Sequence, residues 1–259
     1  MIELVMVHIE TTAHCQLECE FCPHKTMKRP MGIMSDELFD KILNDISYMQ
    51  VEKVMPFLFG EPFLDKKIYS RVERIKEVLP GMPISLFSNG GVPIDETKAG
   101  MLKDIGIVIS YTLEADAEVR DRNVEILKKA GVAAIEVHVV GEGTMMTPLV
   151  RYAEGFGRKH VLPVLVFGKY NWAGKIRSRM TQPDGHCCRP RAQICVMWDG
   201  RVALCCADID CEICLGDVRT TSLKDIWESD KFRMYREKKK SELDFCKVCN
   251  MQNDGPGES

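Results

Sequence analysis

The feature that most constrains this chain is the placement of its cysteines. Of twelve in 259 residues, three lie between positions 15 and 22, nine lie between 187 and 249, and none lies between the two groups. In a reducing compartment thiols do not staple a fold through disulfides, so metal binding at two places is the leading explanation. The compartment reading comes from the rest of the chain. No apolar run reaches the roughly 18 residues of a membrane helix. Residues 2–7 open directly as a strand-like segment with no basic region before them, so no signal peptide is expected. These features predict a cytoplasmic protein with no membrane partner. At 45% hydrophobic and 28% charged residues, with a net charge of −3, the composition is globular and gives no reason to expect a nucleic-acid partner. The short tract Lys238-Lys239-Lys240 reads as a solvated helix end.

Residues 1–170 alternate strand and helix signals. Residues 4–10, 53–59, 83–88, 107–113, 133–140 and 161–167 are strand-like. Between them, residues 35–46, 65–79, 94–104, 116–130 and 147–159 carry helical spacing, the first with Ser35 as its cap. Such alternation implies right-handed crossovers and a parallel sheet. The pattern allows an open doubly wound sheet or a partial barrel, and in both the ligands gather at the carboxyl ends of the strands. Past residue 170 the rhythm changes. Residues 171–184 read as a linker, Trp198-Asp199-Gly200-Arg201 as a hairpin turn, and residues 222–240 as one amphipathic helix. The last residues, 253–259, are expected to fray. Gly141-Glu142-Gly143 is too short to indicate dinucleotide binding and reads as a strand-to-helix turn.

Cys15, Cys19 and Cys22 directly follow the first strand, so one loop can bring three thiolates to one point. A 4Fe-4S cluster takes four cysteines. With three nearby, one iron could stay open, as catalysis at a metal requires. A zinc knuckle completed by His14 or His24 is the alternative. The spacing Cys15-x3-Cys19-x2-Cys22, with Phe21 before the last cysteine, resembles the signature of the radical S-adenosylmethionine (SAM) superfamily.

That resemblance implies an α/β fold, a partial (β/α)6 barrel, in agreement with the six units counted above. It also implies a SAM-binding 4Fe-4S cluster on Cys15, Cys19 and Cys22, with Phe21 beside it. Phe59-Gly60-Glu61-Pro62 is similar to the family's Gly-Gly-Glu-Pro motif after the second strand, with Phe59 departing from it. Gly60, Glu61 and Pro62 would then meet the methionine end of SAM, with Glu61 facing its ammonium. Ser88 and Asn89 close the third strand as Thr-Asn-Gly often does in the family, with an ordinary turn as the alternative. Ser110 is a candidate for the ribose.

The second cysteine group is compatible with structural zinc as well as iron–sulfur chemistry. The order Cys187, Pro190, Gly200-x4-Cys205, Leu215-Gly216-Asp217, Trp227, Cys246-x2-Cys249 resembles the SPASM/Twitch extension of radical enzymes. No cysteine follows Cys249, which matches the shorter Twitch form with one auxiliary 4Fe-4S cluster. The resemblance implies a radical SAM core over residues 1–175 and a Twitch-like iron–sulfur domain over 176–259. Cys187, Cys205, Cys246 and Cys249 are the implied ligands; Cys188 and Cys206 have the same separation and stay open as a register. Cys195 is expected in the core. Cys211 and Cys214 lie outside the pattern, as surface-loop thiols, an alternative ligand pair or a redox couple.

Taken together, the resemblance implies an oxidoreductase. It cleaves SAM to a 5′-deoxyadenosyl radical, takes a substrate hydrogen and, with the auxiliary cluster, achieves a two-electron oxidation of a small molecule. An external one-electron reductant of flavodoxin or ferredoxin type is implied. No catalytic base can be named, although Arg151, Lys169 and Tyr170 stand at suitable positions. One alternative is modification of a ribosomal peptide. Many relatives of that kind carry an additional N-terminal recognition domain, whereas this sequence starts at the first expected strand, which favours a small substrate. The other is a non-catalytic iron–sulfur or zinc protein, which would leave Phe59-Gly60-Glu61-Pro62 unexplained.

Overall fold

The structure is a computed structural model that describes residues 4–141, 146–179 and 185–250. Six strands follow one another in parallel: β1 (Leu4–Ile9), β2 (Val51–Met55), β3 (Ser85–Ser88), β4 (Gly106–Tyr111), β5 (Ala134–Gly141) and β6 (Val164–Gly168). β1 pairs with β2, and β3 to β6 pair in chain order. The seam between β2 and β3 is closed by one parallel bridge, Val54 to Ile84. The sheet is thus the six-unit parallel array of a partial barrel, mixed α/β as the sequence implied.

Helices α1 (Asp36–Ile46), α2 (Ile68–Val78), α3 (Ala117–Lys129) and α4 (Met146–His160) cross between strands. Ser35 caps α1 by accepting from Leu38 N at 3.2 Å, and Asp116 caps α3 by accepting from Glu118 N and Val119 N, each satisfying amides that the first turn leaves free. Strand residues alternate between two faces. Leu86, Ile107, Ile109, Val137 and Val139 are buried in the core. The opposite face lines the lumen. There, ring contacts run unbroken from His8 through Phe57, Phe87 and His138 to Phe167, with centroids 5.7, 4.9, 5.4 and 4.8 Å apart. β6 is more open than the strands before it, with Leu165 and Val166 exposed along the edge of the array.

The C-terminal segment adds α5 (Arg189–Ala192), β7 (Gln193–Val196), β8 (Arg201–Ala203), β9 (Cys214–Asp217), α6 (Leu223–Glu228), α7 (Asp230–Glu237) and α8 (Asp244–Lys247). β7 pairs in parallel with β1, and β8 and β9 continue antiparallel from it. The Asp199-Gly200 turn is the expected hairpin, and Gly200 adopts φ 92, a left-handed conformation that favours glycine. β1 therefore stands between the barrel and the cysteine-rich segment, and carries its own cysteine loop at its carboxyl end.

Three expectations need correction. The single helix over 222–240 is two helices, because Ser229 leaves helical geometry and caps α7 by accepting from Phe232 N at 3.2 Å. Residues 94–104 form only a short 3-10 turn at Ala99–Leu102; Ile94 N is drawn out to Asn123 Oδ1 at 2.9 Å, and Asp95 caps Thr97. Lys240 is not solvated: it is 2% exposed, with its backbone N bound to Gly185 O at 3.0 Å and its Nζ to Cys249 O at 3.4 Å. A bridge between His186 and Lys239 pulls this segment against the one that carries Cys187. Residues 142–143, 180–184 and 253–259 lie outside the described residues. No helix among the described residues is long and apolar enough to cross a membrane.

Candidate active site

The loop after β1 holds Cys15, Cys19 and Cys22 within electrostatic reach of one another. A backbone bond from Cys22 N to Cys19 O, 3.0 Å, closes its last turn. Burial raises the Cys15 thiol above its ordinary range and pushes Cys19 up to about 11 and Cys22 up to about 12, with the neighbouring thiols adding to the effect on each of the last two. Three thiolates would repel one another here, so the loop suits a cationic metal core that offsets their charge. His24 fastens the loop. Its Nε2 lies 2.8 Å from Ala13 O, and since a carbonyl only accepts, Nε2 carries the proton. The lone pair of the His24 ring then lies on Nδ1, and His14 is exposed. Among the described residues no three His, Cys, Asp or Glu side chains converge closely enough for a single metal ion, whereas a cuboidal cluster takes its thiolates at wider spacing.

The loop after β2 docks directly onto this one. Glu61 N donates to His14 O at 2.8 Å. Gly60 is needed for that approach, because a Cβ there would sit 2.1 Å from Thr12 O and 2.9 Å from His14 O. The Glu61 carboxylate, 2% exposed, accepts from Phe63 N at 3.1 Å, Ser88 Oγ at 2.9 Å and Asn89 N at 2.8 Å. Burial nonetheless pushes its carboxyl up to about 7, against those three bonds. Glu61 thereby clamps the Phe59–Pro62 loop to the end of β3, and retains lone pairs for a further donor. Asn89 completes the link. Its Nδ2 reaches Cys15 Sγ at 3.7 Å, and its Oδ1 accepts from Gln16 Nε2 at 3.0 Å. Ser110 lies on the lumen face of β4, directly opposite His138 of β5. The structure thus gathers Cys15, Cys19, Cys22, Gly60, Glu61, Pro62, Ser88 and Asn89 at the carboxyl end of the barrel. Phe21 joins them through its carbonyl, which accepts from Trp172 Nε1 at 2.8 Å.

Phe59, the departure from the family motif, has a place of its own. Its ring packs in a small apolar cluster with Cys195, Met197, Ala203, Ile209 and Cys211, edge-on to Trp172 at 6.4 Å. A glycine would leave that cluster unfilled.

Cys187 lies within electrostatic reach of Cys205 and Cys246, and Cys246 of Cys249. Three separate segments thus converge. Burial pushes Cys246 up to about 12, with the charges of Cys249 and Cys187 adding to it. Cys187 is held low, chiefly by a hydrogen bond from Cys188 and then by Arg189 and Lys240. Cys206 accepts from Gln193 Nε2 at 3.5 Å and also lies within electrostatic reach of Arg189 and Cys205. The Arg189 guanidinium faces this thiol group and lies 5.9 Å over the Tyr170 ring, so it stands between the cysteines and Tyr170. Four thiols beside two cations fit a cluster whose net charge is negative.

A family model for the radical SAM superfamily matches residues 9–143, more than half of the chain. The chain belongs to the radical SAM superfamily. A second model, described as an iron-sulfur cluster-binding domain (SPASM), matches residues 187–250. The chain is 23% identical over 252 residues to the S-adenosyl-L-methionine-dependent 2-deoxy-scyllo-inosamine dehydrogenase of Niallia circulans, covering 95% of this chain and 92% of that one. In fold it is similar to BtrN in complex with AdoMet and 2-DOIA (TM-score 0.64, 20% identity, 97% of this chain and 95% of that chain). It is also similar to Streptococcus suis SuiB bound to the precursor peptide SuiA (TM-score 0.75, 13% identity, 92% of this chain and 68% of that chain). This radical SAM enzyme therefore uses SAM with a 4Fe-4S cluster and carries an auxiliary iron–sulfur domain.

Several residues of this enzyme's site escaped sequence reading. Glu10 and Arg29 form a buried ion pair at 2.5 Å; Glu10 also accepts from Trp198 N at 3.1 Å, and Arg29 donates to Ile209 O at 2.5 Å, tying the cysteine loop to the C-terminal segment. Asn123 of α3 props the Ser88–Gly90 turn by donating to Gly90 O at 2.9 Å and Val92 O at 2.8 Å. Of the three candidate bases, Arg151 is exposed on α4, Lys169 is buried with its Nζ 2.8 Å from Glu20 Oε1, and Tyr170 lies under Arg189. His138, unforeseen, sits in the lumen with Nε2 3.1 Å from Glu136 Oε2.

His8 yields a prediction. Gln193 and the Phe57 backbone face its ring, yet neither ring nitrogen is in hydrogen-bond geometry, and burial lowers it to about 4. An unfolded histidine titrates near 6.5, so between those values the unfolded chain binds the extra proton. His8 therefore contributes stability that is present above about pH 6.5 and lost as pH falls toward 4, about 3 kcal/mol in all. Urea unfolding at about pH 7 and about pH 5 is expected to show a smaller acid loss in His8→Phe than in wild type. Parallel pH profiles would remove His8 from the account.

Proposed function

We propose that this radical SAM enzyme performs a two-electron oxidation of an alcohol carbon in a small molecule, fed by an external one-electron reductant of flavodoxin or ferredoxin type. The observation that supports the proposal is that Cys187 lies within electrostatic reach of Cys205 and Cys246, and Cys246 of Cys249, so that three segments offer four thiols. Four thiols complete a cluster's ligand set, which suits electron transfer rather than substrate ligation. When bound, the first cluster with SAM would supply the oxidising radical for hydrogen removal, and an auxiliary cluster on Cys187, Cys205, Cys246 and Cys249 would supply the acceptor for the second electron.

The chain's own residues do the rest. Cys15, Cys19 and Cys22 hold the first cluster, with Phe21 anchored by Trp172. Gly60, Glu61, Pro62, Ser88 and Asn89 cradle the methionine end of SAM, and Ser110 meets its ribose. Lys169, which donates to Glu20 Oε1 at 2.8 Å, holds the substrate oxygen. His138, polarised by Glu136, takes the hydroxyl proton. The aromatic lumen excludes water around the radical. The domain division at residues 175 and 176 is part of this proposal, with β7 extending the barrel's sheet on the auxiliary side.

The test is an anaerobic incubation with SAM, dithionite and a panel of amino alcohols that includes 2-deoxy-scyllo-inosamine. A ketone two hydrogens lighter, formed with one 5′-deoxyadenosine per product, is the expected result. Crosslinking of an added cysteine-containing peptide, with every alcohol unchanged, would replace this reading by peptide modification. In the same assay Cys246→Ala is expected to retain at least part of SAM cleavage and to lose the ketone. Full turnover by that variant would remove the auxiliary cluster from the reaction.

A further inference from the structure

Cys211 and Cys214 have no part in the function proposed above. Neither is an ordinary surface thiol. Cys211 is buried and Cys214 is half-buried; the two thiols lie within reach of each other, and Cys214 Sγ donates to Gly216 O at 3.3 Å. The turn that carries them is built to keep them so. Cys211 N donates to Asp208 O at 3.1 Å, while the buried Asp208 carboxylate accepts from Glu212 N at 2.7 Å and from Ile213 N at 3.0 Å. Cys211 itself is held at φ 54, a left-handed conformation uncommon outside glycine. Cys214 opens β9 opposite Ala203, so its position is fixed by the sheet. The guanidinium of Arg201, on β8, is paired with Asp199 at 2.8 Å and lies within electrostatic reach of both sulfurs. Burial pushes the Cys211 thiol well above its ordinary range, which leaves the half-buried Cys214 as the sulfur open to an incoming disulfide.

We propose that Cys211 and Cys214 form a thiol–disulfide exchange site whose substrate is a low-molecular-weight or protein disulfide. Cys214, the more accessible sulfur, attacks one sulfur of the incoming disulfide. A bond to Cys214 forms, the substrate's S–S bond breaks, and one thiol leaves. Cys211 then attacks Cys214, forming the intramolecular disulfide and releasing the second thiol. The two protons and two electrons lost by the pair leave with the two thiols, so the substrate disulfide is reduced and the chain is oxidised. The exchange takes place close to both halves of the enzyme. Asp208 N donates to Cys205 O at 3.0 Å, and Cys211 packs in the same apolar cluster as Phe59 of the Phe59–Pro62 loop.

The test uses the full, iron-loaded protein under anaerobic conditions, with oxidised glutathione as the probe, followed by alkylation, intact mass and peptide mapping. The expected product is one disulfide joining Cys211 and Cys214, with two hydrogens lost and the iron content unchanged. Cys211→Ser is expected to trap one glutathione on Cys214. Complete alkylation of both cysteines in treated wild type, or a disulfide that uses only other cysteines, would overturn the proposal. So would loss of iron from Cys211→Ser, because that would make the residue a ligand. The wild-type mapping stands by itself if a variant does not fold.

Discussion

Cys15→Ala is expected to abolish formation of 5′-deoxyadenosine from SAM and dithionite, and to lower the iron content from about eight to about four per chain. The loop has three cysteines and no spare. A variant with two cannot hold a cluster that leaves its fourth iron for SAM. Cys15 is also the thiol joined to the rest of the cradle, through Asn89 Nδ2 at 3.7 Å and from Asn89 N to Glu61 Oε2 at 2.8 Å. Loss of a supporting contact around a metal costs about 10–100-fold; loss of the ligand itself should exceed that and leave cleavage below detection. Iron counting alongside product analysis checks both parts. Retention of cleavage by Cys15→Ala would place the first cluster on other residues.

Gly60→Ala is the second large effect, and it adds one methyl group. That carbon would lie 2.1 Å from Thr12 O and 2.9 Å from His14 O, both backbone atoms. Neither can rotate away as a side chain does. The loops after β1 and β2 must separate, and the bond from Glu61 N to His14 O must lengthen or break. Overpacking of this kind costs about 1–3 kcal/mol in stability. The larger cost falls on geometry, since a misplacement of about 1 Å at a reacting centre lowers rate by about 10²-fold. SAM cleavage is expected to fall by about that factor while the iron content is kept. Gly155→Ala is the matched control, because a Cβ there meets nothing within 4 Å; it should leave cleavage unchanged. Equal rates for Gly60→Ala and wild type would mean that the close approach of the two loops has no catalytic role.

The parallel array was legible in the sequence because each strand and helix carries its own period, and the spacing of the first three cysteines is local and therefore readable. Contacts set by tertiary structure were not. Nothing near Glu10 in sequence announces that it pairs with Arg29 and receives Trp198 N. Asn123 reads as a surface helix residue until α3 is laid against the Ser88–Gly90 turn. Lys240 belongs to a tract of three lysines, and composition alone makes it solvated; only the bridge between His186 and Lys239 buries it beside thiols. Ser229 was overlooked for another reason. The apolar spacing runs on through residues 223–232, but a serine able to accept from Phe232 N ends one helix and starts the next. The lumen histidines were hidden because His8 and His138 sit in largely apolar strands, where alternation marks the face they occupy but not the ring contacts that join them.

The account rests on an iron left open by Cys15, Cys19 and Cys22 and filled by SAM. Low-temperature electron paramagnetic resonance of the anaerobically reduced, iron-loaded protein tests this directly. Adding SAM is predicted to shift the signal of one cluster, and the shifted signal should be absent from Cys15→Ala while surviving in Cys246→Ala. An unchanged spectrum on adding SAM, or zinc in place of iron on the N-terminal loop, would contradict it.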